Sequence, residues 1–349
     1  MNLNRAMLKD AVDNGLLSSD QAEKLWEFVL QRGRDTPSFR FTHVLYYFGG
    51  LIAIGAMTLF MNVGWEAFGG WGLFVIALVY GVAGLWFTEY LLGRLRLPIP
   101  AGIVATFVVV LAPLAVYGLT AAFGWWEEGR PYQDYFTDID WRWGLMELAS
   151  LVVGLALLWR YRLPLLTLPI VVTLWYISID IVPALLGQGD TPWKVREQVS
   201  LWFGLLVTLG AFWIDVRSRP DKDYAFWFYL VGVAAFWLGL SLMHWDDELA
   251  NAVYFVINLL LIILGSIVSR RVFVVFGVLG AVGYISYLAY DVFRDSMVFP
   301  FALTVIGFAV IYLGIVWQRR EQAIAGYLRG LLPHAMQKFL DRRGDARKS

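Results

Sequence analysis

The chain has 349 residues, is 59% hydrophobic and only 16% charged, and carries a formal net charge of zero. A soluble domain carries about 25% charged residues, and a neutral chain gives no reason to expect a nucleic-acid partner. The absence of cysteine excludes disulfides, thiolate chemistry and cysteine-based metal sites.

Residues 1–38 read as a helical hairpin. A first helix over about Leu3 to Asp13 stops at Asn14-Gly15, a common C-terminal stop. In "SSDQAEKLWEFVLQRG", Ser18 and Gln21 have the spacing of a capping box for a second helix. Ala22, Leu25, Trp26, Val29 and Leu30 then form one apolar stripe. Two short helices bury too little to stand alone, so the stripe is expected to dock on the first helix, the membrane face or a partner. The first forty residues lack the apolar core of a cleaved signal peptide, and none is expected.

From Phe41 to Trp317, apolar runs follow one another with short polar breaks. That pattern predicts an all-α fold, a polytopic transmembrane helix bundle, because in lipid the backbone must satisfy its own hydrogen bonds. A barrel needs alternating segments of about ten residues, and these runs do not alternate. Ten spans are expected, near 41–62, 70–92, 98–122, 143–159, 164–186, 198–216, 224–243, 250–269, 271–290 and 297–317, the fourth and sixth being short. The chain thus divides into a cytoplasmic hairpin (1–38), a ten-span domain (39–317) and a cytoplasmic tail (318–349).

Charge in the breaks alternates. Arg94 and Arg96, then Arg160 and Arg162, then Arg217, Arg219 and Lys222, then Arg270 and Arg271 occupy every second break. The intervening breaks hold Glu66, then Glu127 to Asp140, then Asp190 and Glu197, then Asp246 to Glu248, then Asp291 and Asp295. The positive-inside rule places the basic breaks and both termini in the cytoplasm of a cell with this protein in its cytoplasmic (inner) membrane. Arg130, Arg142, Lys194, Arg196 and Arg294 run against the bias. Trp65, Trp71, Trp125, Trp126, Trp141, Trp143, Trp193 and Trp245 gather at the outer boundary, as an interfacial belt does.

Beyond Trp317, Ile324, Leu328, Leu331, Ala335 and Phe339 keep a helical stripe, while Arg319, Arg320, Arg329, Lys338, Arg342 and Arg343 supply positive charge. Such a basic amphipathic helix lies on a bilayer surface, so anionic inner-leaflet lipids are its expected partner. Two segments, "LRLPIPAG" and "YRLPLLTL", open with Arg-Leu-Pro at a basic break, and "YIS" at Tyr176 recurs at Tyr284, with Arg162 matching Arg270 at the same offset. These matches hint at repeated helical hairpins, a common transporter construction.

Ionisable groups at membrane depth are functional-site hypotheses by default. Asp180 sits about 24 Å into its span, counting from Pro164; Pro183 follows it and Tyr176 lies one turn before it. Asn258 is central in the eighth span, where an amide bundles helices more often than it binds ligand. Glu89 near Arg94, Asp215 near Arg217, and Glu147 are interfacial carboxylates. The candidate intramembrane polar site is therefore Asp180, Tyr176, Asn258, Tyr284 and Glu89. The pairs Gly49/Ala53, Ala77/Gly81, Ala235/Gly239 and Gly277/Ala281 suit close helix packing. His43, His244 and His334 are scattered, and neither a phosphate-binding loop nor a nucleophile motif is present, so no catalytic residue, metal or cofactor is expected.

The N-terminal "AVDNGLLSSDQAEKLW" followed by "YYFGGLIAIGAMTLFMNVGWEAFGGWG" resembles the bacterial predicted membrane proteins grouped as domain-of-unknown-function family 2157, over about the first ninety residues. The resemblance implies a bacterial cytoplasmic-membrane protein and brings no catalytic residues. Three functions are compatible with the chain: a small-solute or ion permease, a non-transporting scaffold or sensor recruiting partners through its hairpin and tail, and a membrane-embedded lipid-processing enzyme.

Overall fold

The computed structural model describes residues 8, 11–12, 15–32, 41–126, 141–185, 193–217, 223–243, 248–268 and 270–288, with isolated helical positions at 301, 304, 307–308 and 312. The acidic segment 127–140, Asp190, His244 to Asp247, Asp291, Asp295, most of the predicted tenth span and the tail 318–349 lie outside the described residues. Among the described residues there is no strand. The chain forms two compact units: Met1–Thr173 with Arg217–Tyr224, and Leu174–Val216 with Ala225–Ser349.

In the first unit, α1 spans Ser19–Arg32. Its capping box is formed: the Ser18 amide donates to Gln21 Oε1 at 3.0 Å and the Gln21 amide to Ser18 Oγ at 3.2 Å. Before it, Gly15 takes φ 69°. The Leu16 amide then reaches back to the Ala11 carbonyl and the Gly15 amide to that of Val12, which ends the preceding turn as a Schellman motif. Leu8 and Ala22 are buried.

Helix α2, Phe41–Tyr90, is interrupted at Gly69, whose φ of 60° and ψ of −179° break the helical path. Tyr46, Gly50 and Ala53 on its first half share one cavity with Tyr80, Gly84 and Phe87 on its second. The two halves therefore run back along each other about Gly69. A loop is expected over roughly 63–69, but the chain stays helical to Phe68 and reverses at one glycine. The side chains of Trp65 and Glu66 lie outside the described part.

A π-turn, Leu91–Leu95, closes α2, and α3, Pro98–Ala122, packs back along it. A methyl at Gly118 would meet the Phe74 amide nitrogen at 2.7 Å and the Gly70 carbonyl at 2.9 Å, so these backbones touch. Helix α4 is Trp141–Tyr161, followed by a 3-10 turn at Pro164–Leu166. The two Arg-Leu-Pro breaks share a backbone: Arg96 and Arg162 are left-handed, at φ 53° and 52°, and the prolines open the next helical turns. Proline pushes the residue before it away from the α region, so the chain turns at Leu97 and Leu163. The proposed match of Arg162 with Arg270 fails locally, because Arg270 is extended at φ −114°. One core joins Leu73, Ala77, Leu111, Leu114, Tyr117 and Met146; another joins Leu91, Ala101, Ala105, Val109, Leu163 and Leu166.

At the other end of this unit the tryptophans pack on one another. Trp126 meets Tyr117 and Trp143 edge-on, and its Nε1 donates to Thr120 Oγ1 at 2.9 Å. The Arg142 guanidinium lies 4.8 Å from the Trp126 ring centre and also donates to the Trp125 carbonyl. One arginine that breaks the charge rule is thus taken up by aromatic faces and a carbonyl.

Helix α5, Thr167–Leu185, carries the chain into the second unit, which continues through α6 (Trp193–Arg217), α7 (Ala225–Leu242), α8 (Glu248–Val268) and α9 (Arg271–Tyr287). The fourth and sixth spans are not short: α4 has 21 residues and α6 has 25. Both start earlier than hydropathy suggests, because their first turns are built from tryptophan and charged residues. In α6 and α7, methyls at Gly204, Gly232 and Gly239 would each strike the facing backbone or Thr208. Between α8 and α9, methyls at Gly265 and Gly277 would strike the facing backbone, and one at Gly280 the Asn258 side chain. Of the predicted small pairs, Ala235/Gly239 and Gly277/Ala281 serve such packing, whereas Gly49 and Gly81 face open space.

Six described helical stretches are long and apolar enough to cross a membrane, and three shorter apolar ones accompany them. Their outward faces carry large apolar groups: Leu51, Trp86, Trp159, Trp202 and Leu206 are all more than half exposed. Apolar surface on this scale marks contact with lipid or another protein.

Candidate functional site

Helix α6 has one face of small and polar residues: Glu197, Ser200, Gly204, Thr208 and Ala211. Ser200 ties three helices together. Its hydroxyl accepts from Trp175 Nε1 of α5 at 3.0 Å and donates to the Ala235 carbonyl of α7 at 2.8 Å. The connection from Leu185 to Trp193 is short, so α5 and α6 are antiparallel neighbours. Asp180 stands about 7 Å further along α5 than Trp175 and about 140° round the helix from it, while Arg196 and Glu197 stand about 5–6 Å back from Ser200 along α6.

All three are buried: Asp180 is 9% exposed, Arg196 8% and Glu197 4%. Asp180 is therefore shielded by the protein from its surroundings. Glu197 Oε1 has no hydrogen-bond partner among the described residues. Gly239 of α7 packs over this level, where a methyl would meet the Glu197 carbonyl at 2.7 Å. Arg196 and Glu197 are expected in an outer break, and that placement is wrong: α6 begins at Trp193 and takes both into its first turns. The polar periodicity running from Glu197 to Thr208 was the signal that marked a buried face.

The opposite end of α6 holds a second buried charge. Arg270 Nη2 bonds Asp215 Oδ1 at 2.8 Å, with both side chains under a tenth exposed. The guanidinium also lies 5.2 Å from the Tyr229 ring centre, and the Tyr229 hydroxyl reaches Asp215 Oδ2 at 3.4 Å. The expected neighbour of Asp215 was Arg217. Arg270 reaches Asp215 because it begins α9 in an extended conformation, with its amide held by the Gly265 carbonyl. From Arg196 to Asp215 the helix rises about 28 Å, close to the hydrocarbon thickness of about 30 Å. The charges therefore bracket the apolar stretch.

The other candidates separate. Asn258 is fully buried, donates to the Tyr254 carbonyl at 2.8 Å and presses on Gly280. Tyr284, one turn beyond Gly280, stacks on Phe255 at 5.0 Å, so Asn258 and Tyr284 share the α8–α9 seam. Tyr176 is 48% exposed and leans on Trp175. Glu89 lies in the first unit and pairs with Arg160 Nη2 at 3.1 Å and the Tyr161 hydroxyl at 3.2 Å, not with Arg94. That pair is more than half exposed, and at such a site it contributes little stability.

The first unit contributes a cavity of about 490 Å³ between the halves of α2 and α3, with an apolar lining and no member of the polar group above. Among the described residues, no group of three or more histidine, aspartate or glutamate side chains is placed to hold a metal ion. Comparison of the chain with protein-family models, with curated proteins and with solved structures finds no match.

Proposed function

We propose that the chain is a transporter-like permease for an ion or small solute, with Asp180, Arg196 and Glu197 as its charge-binding centre. The burial of two carboxylates and one guanidinium on α5 and α6 supports this reading most. Buried charge is costly unless compensated, so carboxylates kept in such a place suit the exchange of a proton or cation. Proteoliposomes carrying a pH-sensitive dye test this. An imposed potential drives proton or cation flux through the wild-type protein, and Glu197→Gln or Asp180→Asn abolishes it while the protein stays monodisperse. Flux equal to protein-free vesicles under every gradient rejects the permease.

The second reading is a non-transporting scaffold or sensor. It is favoured by how much of the remaining polar surface is committed to helix–helix bonds: Asp215 with Arg270, Ser200 with two helices, Ser241 with Tyr254 at 2.9 Å. Either reading carries ten spans, a bacterial inner-membrane location, both termini cytoplasmic, membership of family 2157 and a tail on anionic lipid. These rest on the alternating breaks, the basic stripe and the N-terminal resemblance.

A further inference from the structure

We propose that the groove between the halves of α2 and α3 in the first unit is a binding site for one anionic glycerophospholipid from the bilayer. An acyl chain fills the groove, and Arg94 and Arg96 hold the phosphate. This goes beyond the charge centre of the second unit and shares no residue with it.

The groove exists because side chains are missing where three helices meet. Gly49, Gly50 and Ala53 on one half of α2 face Ala83 and Gly84 on the other, with Ile103 of α3 at the base. The walls are glycine, alanine and aromatic faces. Those on the second half of α2 and on α3 lie within helices long and apolar enough to cross a bilayer, and those on the first half lie in a shorter apolar helical stretch. A lipid chain is the apolar ligand available there at the highest concentration, and Trp86 and Phe87 offer it flat surfaces.

Charge complementarity selects the lipid class. The groove ends at Phe87 and Pro100, which flank the break containing Arg94 and Arg96. Arg94 lies about 10 Å beyond Phe87 along the helix, a separation that a glycerol backbone and phosphate span. Both arginines are exposed, and among the described residues neither has an ion-pair partner. Glu89, the acidic group on the same end of α2, is already taken by Arg160. Arg96 is held left-handed at the mouth by the turn that starts α3. Two guanidiniums beside an apolar slot match a phosphodiester carrying net negative charge, and guanidinium suits phosphate geometry.

The test uses the full-length protein, delipidated in detergent, and native mass spectrometry with added dioleoyl phosphatidylglycerol or dioleoyl phosphatidylcholine. The wild type retains a single phosphatidylglycerol about thirtyfold more tightly than phosphatidylcholine, the preference two arginines near a membrane surface supply. Arg94→Gln with Arg96→Asn, which keeps a residue tolerant of the left-handed backbone, binds the two lipids alike. A methyl at Gly49 meets nothing within 4 Å, so a side chain can start there without a clash, and Gly49→Leu fills the groove and loses both lipids. Gly81 is equally open but lies off the groove, so Gly81→Leu binds as wild type does. Unchanged retention in Gly49→Leu, or a surviving phosphatidylglycerol preference in the arginine double variant, overturns the site. If Gly49→Leu does not remain monodisperse, the arginine variant, altered only at exposed side chains, decides.

Discussion

Arg270 and Asp215 form a 2.8 Å ion pair buried to more than nine-tenths, joining the start of α9 to the end of α6. Removing one partner strands the other charge in a place water does not reach. Arg270→Met is expected to destabilise the folded protein by about 3–5 kcal/mol, whereas Asp215→Leu with Arg270→Met together recovers most of the loss. Thermal unfolding of the detergent-solubilised variants measures both. Equal losses in the single and double variants would show that the pair is not what holds these ends together.

The Asn258 side chain occupies the space above Gly280, where a methyl has no room. Gly280→Ala is expected to cost about 1–3 kcal/mol through overpacking, and Asn258→Ala in the same chain relieves it. Only a double-mutant cycle isolates this coupling. A coupling near zero would mean the two sites relax independently.

At Gly69 the obstacle is the backbone alone. A methyl added there would meet no atom within 4 Å, yet φ is 60° with ψ near 180°, a region open almost only to glycine. Gly69→Ala should therefore cost about 1–3 kcal/mol, while Gly55→Ala, in an open helical position, is neutral or slightly stabilising. Chemical denaturation compares them. Identical effects would place the reversal of α2 somewhere other than Gly69.

Topology is open to reporter fusions. An alkaline phosphatase fused after Glu128 is expected to be active and one after Lys222 inactive, because the alternating charge of the breaks predicts opposite sides of the membrane for them. Both fusions reporting the same side would remove the ten-span arrangement.

Most helix positions were legible because lipid leaves the backbone little choice. An apolar run bounded by charge becomes a helix, and the predicted 98–122 coincides with Pro98–Ala122. The capping box at Ser18 and Gln21 was legible for a similar reason, since both partners lie within one turn. Helix starts rich in charge were misread. Hydropathy counts Arg196 and Glu197 as loop, but a helix face closed over by α7 buries them regardless of their polarity.

The amino-acid sequence by itself determined the apolar composition of the chain, the helical character of its described residues, the Arg-Leu-Pro breaks and the prominence of Asp180, because each follows from local composition or short-range geometry. Tertiary structure alone decided who meets whom. Asp215 lies two residues from Arg217 and fifty-five from Arg270, yet bonds Arg270; Glu89 passes over Arg94 for Arg160. Ser200 joins Trp175 of α5 to Ala235 of α7, a meeting that no spacing along the chain announces. Pairing of charge depends on helix rotation and register, which are set by glycine contacts and single hydrogen bonds between segments distant in sequence, and a linear pattern does not encode those distances.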